Sequence, residues 1–100
     1  MSSTKPLEGK VAIVTGGSKG IGRATSLRLA ADGAKVIVNY ASDAGPAEEV
    51  VRLIGADKAF AIKADVGNVV EIGKLIDATV QKFGKIDILI ACAGTMVLNE

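Results

Sequence analysis

Val11-Ala12-Ile13-Val14-Thr15-Gly16-Gly17-Ser18-Lys19-Gly20-Ile21-Gly22 is the stretch whose reading decides the fold. Val11–Val14 is a short apolar run, and the segment from Ile21 to Ala31 carries helical spacing. Strand, glycine turn and helix in that order gather unblocked backbone N–H groups and the positive end of a helix at one spot. Such a spot suits a phosphate or pyrophosphate. Gly16 can take a backbone conformation closed to residues with a Cβ, Gly20 lets the main chain approach a ligand, and Gly22 lets the helix pack close to the sheet. The spacing is Gly-x-x-x-Gly-x-Gly, not Gly-x-Gly-x-x-Gly. A P-loop is excluded because Arg23-Ala24 stand where Lys-Ser/Thr would be required. The bland alternative is a tight strand–helix turn with no ligand.

Outward from this stretch, apolar runs recur at Val36–Val38, Ala59–Ile62 and Ile86–Ala91, short enough for strands buried on both faces. Helices are expected between them. In the first, Ile21, Ala24, Leu27 and Ala31 share a face and Asp32-Gly33 stops it. The second runs from Ala47 to Ile54 after Pro46, with Glu48 and Glu49 in its first turn. The third places Val69, Ile72, Ile76, Val80 and Phe83 on one face, with Asn68 as cap and Gly84 as stop. The order strand–helix–strand–helix–strand–helix–strand predicts an α/β, Rossmann-like doubly wound parallel sheet. Its strand order is 3-2-1-4 and its switch point lies between the first and fourth strands.

Nearly half the residues are hydrophobic and only three are aromatic, as suits a sheet covered by helices. Twelve Lys/Arg against eleven Asp/Glu leave a net charge of +1 with no basic block, so neither nucleic acid nor an anionic membrane is expected as a partner. No run approaches the roughly 20 apolar residues of a membrane span, and the N-terminus does not read as a secretory signal. A cytoplasmic protein is expected. Cys92 stands alone and there is no His, so no disulfide, metal site or histidine base is expected.

Several separated motifs, covering Leu7 to Gly94, resemble the N-terminal part of a short-chain dehydrogenase/reductase. The likeness is greatest to the NADPH-dependent 3-oxoacyl-carrier-protein-reductase type and the fungal naphthol and versicolorin reductases. Leu7-Glu8-Gly9-Lys10 leading into the first strand is similar to the family's opening, and Gly20-Ile21-Gly22 completes its nucleotide motif. Lys82-Phe83-Gly84-Lys85-Ile86-Asp87 resembles the approach to its fourth strand, and Ala93-Gly94 the end of that strand's motif. The resemblance implies hydride transfer to or from a small-molecule carbonyl or alcohol, in a family that is usually homo-oligomeric. It implies that the turn from Gly16 to Ile21 wraps the cofactor pyrophosphate, with Ser18 and Lys19 on the adenosine side and Gly22 behind them. Asn39, Tyr40, Ala41 and Ser42 would meet the adenosine ribose, Asp65 and the Val66 main chain the adenine, and Ala91, Ala93 and Gly94 the nicotinamide ribose.

The end of the second strand bears on the choice of cofactor. An acid there binds both ribose hydroxyls of NAD and repels a 2′-phosphate. This chain has Asn39, with no acid until Asp43, and Lys19 adds positive charge. NADP(H) is expected over NAD, and Asn39→Asp is expected to shift preference toward NAD. Lys19 also reads as a solvated surface lysine, Asn39 as a simple strand-end residue, and Asp65 as the polar stop after Ala64.

Two departures from the family stand out. Its usual Asn-Asn-Ala-Gly is here Ala91-Cys92-Ala93-Gly94, so two amides and their backbone bonds must be replaced or lost. The family's catalytic Ser and Tyr-x-x-x-Lys lie downstream of Glu100. Tyr40, the sole tyrosine, is followed four residues later by Ala44. The resemblance thus implies an incomplete sheet, with residues 1–100 forming only the N-terminal portion of a NAD(P)-binding domain. No catalytic residue is assigned within the chain, which is expected to be a truncated or incomplete gene product, a cofactor-binding half inactive alone. A non-catalytic NADP(H)-binding module and a degenerate fragment are the alternatives.

Overall fold

The computed structural model describes residues 5–92. Its elements alternate along the chain: β1 (Val11–Thr15), α1 (Gly20–Ala31), β2 (Lys35–Tyr40), α2 (Ala44–Ile54), β3 (Ala59–Lys63), α3 (Val69–Phe83) and β4 (Ile88–Ala91). All strand pairs are parallel, in the order β3-β2-β1-β4. From β1 the chain steps through α1 and α2 toward β3, then doubles back through α3 to β4. Right-handed crossovers therefore put α1 and α2 on one face and α3 on the other. The reversal leaves a crevice between β1 and β4 at the strands' carboxyl ends, the expected switch point of a doubly wound sheet.

The core has two halves. Val14, Val36 and Val38 pack with Ala47 and Val50 of α2 on one face, and Ile13 and Ile37 pack with Ala64 and Leu75 on the other. The central strands are buried on both faces as expected, but β3 and β4 are only partly covered. The reason is position: β3 and β4 flank the described sheet, and α3 is the one described helix on its face. Leu89, in register with Ile13, is 62% exposed there.

Two helical faces differ from the expected ones. On α1 the buried residues are Gly22 and Ser26, whereas Ile21 is 80% exposed and Ala24 and Ala31 also face outward. Small residues win this contact because α1 lies close against the turn before it. On α3 the buried pair is Leu75 and Thr79; Val69, Ile76 and Val80 lie exposed, with Ile72 and Phe83 half-buried. Thr79 is accommodated because its hydroxyl donates to the Leu75 carbonyl at 2.8 Å.

Two boundaries also move. Helix α2 starts at Ala44, capped by Asp43, whose Oδ1 accepts from Gly45 N at 3.0 Å. Pro46 sits within the first turn, where an absent N–H costs no helical bond, and Glu48 and Glu49 fall beyond that turn. Strand β4 begins at Ile88, because Asp87 anchors the approach: its N donates to Val11 O and its Oδ2 accepts from Val11 N at 2.9 Å.

Candidate functional site

Thr15 ends β1, and the chain must then clear the sheet edge and enter α1 within a few residues. Gly16 and Gly20 do this at φ of 61° and 54°, a region that residues with a Cβ rarely adopt. Gly22 is constrained differently. A Cβ there would lie 1.9 Å from the Gly16 carbonyl oxygen, so the first turn of α1 touches the loop backbone itself. Ser26 holds the loop from behind, its buried hydroxyl donating to Gly17 O at 3.1 Å.

Helix α1 starts differently from the other two. Asp43 caps α2, and Asn68 caps α3 by accepting from Val70 N and Glu71 N. Lys19 at the N-cap of α1 gives no side-chain bond, and no acid lies in the first turn. The amide groups that open α1 therefore face outward with their partial positive charge. They open on a cleft of about 460 Å³ lined by Gly16, Ser18, Lys19, Gly20, Ile21, Gly22, Tyr40, Ala41, Ser42, Asp43 and Cys92. This concavity, with its amides and one ammonium at the α1 end and the Asp43 carboxylate at the other, can take an elongated ligand whose anionic part sits at α1.

Nine of the sequence-derived site residues are thus brought together: Gly16, Ser18, Lys19, Gly20, Ile21, Gly22, Tyr40, Ala41 and Ser42. Asn39 is not among them and needs correction. Its side chain is 2% exposed and fully engaged by main chain, so it offers no amide to the cleft. Asp65 and Val66 do not line the cleft either. Asp65 is exposed in the turn before α3, its Oδ1 accepting from Gly67 N at 2.9 Å. Val66 and Ala91 line a separate apolar recess of about 230 Å³ on the α3 face, with Ile13, Leu75 and Leu89. Ala93 and Gly94 lie outside the described residues.

The sequence reading missed Asp43, Cys92, Thr15 and Ser26. Cys92 lines the cleft because its backbone N donates to both Thr15 O and Thr15 Oγ1 at 3.1 Å, which holds the end of β4 beside the turn. That main-chain tie stands where the family's two amides are lacking. Ser26 alone left a trace in the sequence, a small polar residue four positions after Gly22 in a helix whose inner face must be small. Among the described residues no three His, Cys, Asp or Glu side chains are grouped to hold a metal, and no helix is long and apolar enough to cross a membrane.

Comparison with known proteins agrees with this geometry. The short chain dehydrogenase family matches residues 10–100. An uncharacterized oxidoreductase of Methylorubrum extorquens is 52% identical over 90 residues, covering 88% of this chain and 36% of the relative. A 3-oxoacyl-[acyl-carrier-protein] reductase of Synechocystis is 49% identical with the same coverage. A short chain dehydrogenase from Burkholderia cenocepacia, solved in complex with NADP, superposes with a TM-score of 0.79 at 47% identity, over 83% of this chain and 35% of that one. The chain thus spans about a third of the length of these relatives. With a parallel sheet in 3-2-1-4 order, a glycine turn at its switch point and these matches, the chain belongs to the short chain dehydrogenase family.

Proposed function

We propose that this chain is the NADP(H)-binding part of a reductase that transfers hydride to or from a carbonyl or alcohol substrate. One observation carries the reading: the uncapped start of α1 opens, beside Lys19, on the cleft formed by the glycine turn and Tyr40–Asp43. The turn that shapes this cleft is itself tightly set, because α1 packs so close to it that Gly22 has no room for a Cβ. The cofactor, when bound, supplies the hydride.

The residues of this chain bind and orient it. Backbone amides from Ser18 to Gly22 take the pyrophosphate, and Lys19 with Ser42 takes the 2′-phosphate. Asp65 and the Val66 main chain are assigned the adenine edge, and the Ala91–Gly94 segment the nicotinamide ribose. Asp43 also lines the cleft, with its Oδ1 turned to Gly45 N as the cap of α2. Proton transfer is assigned to none of the described residues.

Titration with NADPH, followed by fluorescence or calorimetry, tests the reading. A folded chain without saturable binding at millimolar cofactor refutes it. Lys19→Glu should weaken NADPH binding roughly tenfold and NADH binding much less, as expected for losing a partly exposed ion pair and adding a repulsion. Equal losses for the two nucleotides would remove Lys19 from the 2′-phosphate.

A further inference from the structure

Asn39 carries the densest set of side-chain hydrogen bonds near the cleft. Its Oδ1 accepts from Gly16 N at 3.2 Å, and its Nδ2 donates to Ile62 O and Ala64 O, each at 3.2 Å. Its own carbonyl accepts from Gly17 N at 3.0 Å. One buried residue of β2 thus ties the glycine turn on one side to the end of β3 on the other. The amide has one workable orientation: reversed, it would set a donor against Gly16 N–H and an oxygen against two carbonyls.

Strand alternation explains why this side chain is withdrawn. Along β2 successive side chains point to opposite faces. Ile37 belongs to the core on the α3 face and Asn39 shares its parity, while Val38 and Tyr40 belong to the other face, and Tyr40 lines the cleft. We infer that Asn39 is a positioning residue whose carboxamide locks the glycine turn to β3, and that it takes no part in choosing between NADP(H) and NAD(H).

An acid at position 39 then has an effect opposite in kind to the one the sequence suggests. Aspartate keeps an acceptor for Gly16 N–H, but its second oxygen faces the Ile62 and Ala64 carbonyls where two N–H donors stood. The turn loosens and no ribose hydroxyl gains a partner. An acid at position 40, by contrast, stands in the cleft.

The nucleotide arm of the test rests on the proposed NADP(H) function; the exchange arm does not. In the ligand-free chain, backbone hydrogen exchange at Gly16 should quicken roughly tenfold in Asn39→Ala, the equivalent of one lost hydrogen bond of about 1.4 kcal/mol. Asn39→Asp should weaken NADPH and NADH by a common factor, whereas Tyr40→Asp should move their ratio toward NADH. In the unmutated chain, the Asn39 side-chain NH₂ resonances should be the same with NADPH bound as with NADH, while those of Ser42 differ. That last comparison needs no variant, so it stands even if substitutions at 39 prevent folding. A selective gain for NADH in Asn39→Asp, unchanged exchange at Gly16, or NH₂ resonances that respond to the 2′-phosphate would each overturn the inference. A chain that binds neither nucleotide would instead overturn the proposed function, and Gly16 exchange would still decide the lock.

Discussion

Gly22→Ala puts the local architecture to its sharpest test, because helix propensity and packing predict opposite signs. Alanine is favoured over glycine inside a helix by about 1 kcal/mol. At position 22, however, the added Cβ would lie 1.9 Å from Gly16 O, 2.8 Å from Gly16 C and 3.0 Å from Gly17 Cα. All three atoms are backbone, so no side chain can swing aside. Restoring an ordinary contact requires α1 and the turn to separate by roughly 1.5 Å, and overpacking of that kind costs about 1–3 kcal/mol or more. Because the obstacle is main chain, the upper end applies, leaving a net loss of about 2 kcal/mol after the propensity gain. Urea unfolding followed by circular dichroism should show a midpoint lower by about 1–2 M, for an m-value near 1–2 kcal/mol/M. Gly73→Ala is the internal control: it lies in α3 with nothing within 4 Å of a Cβ, so the same chemical change should stabilise by about 0.5–1 kcal/mol. If Gly22→Ala matched Gly73→Ala in sign, the close approach of α1 to the turn would be wrong.

Two further outcomes follow from caps and charges. Asn68→Ala removes the acceptor that serves Val70 N and Glu71 N and should cost about 1 kcal/mol in urea unfolding; an unchanged midpoint would show that water replaces it fully. The Asp87 carboxyl is held below its usual pKa by the Val11 N–H it accepts from and then by Lys85. With the folded-state pKa below the unfolded one, its stabilisation is complete above about pH 4 and is lost as pH falls through the folded value. The urea midpoint of the unmutated chain should therefore drop more between about pH 5 and about pH 3 than that of Asp87→Asn, and equal slopes would refute the tie between β4 and β1.

Much of the fold was legible because its determinants are local or periodic. The apolar runs marked the strands, Asn68 and Gly84 bounded α3, and the chain order dictated the 3-2-1-4 sheet through the handedness of its crossovers. The helical faces were less legible. A 3.6-residue period fixes which residues share a stripe but not which stripe meets the sheet. On α1 the stripe of Gly22 and Ser26 prevails over Ile21 and Ala24 because closeness, not hydrophobicity, governs that contact. On α3 Leu75 and Thr79 meet the sheet, while Ile72 and Ile76 line the apolar recess beside the exposed Leu89.

The candidate site divides along the same line. The glycine spacing by itself predicted a tight strand–helix turn after β1, because φ near +60° and a missing Cβ are properties of residue type. The position of Asn39 could not be read that way. A polar residue at a strand end looks available to a ligand until the register with β3 and the return of the Gly16 amide are known, and only the tertiary structure supplies both. Sequence alone determined that the chain makes the glycine turn; packing across three strands decided which side chains line the cleft and which one is tied to the turn from behind.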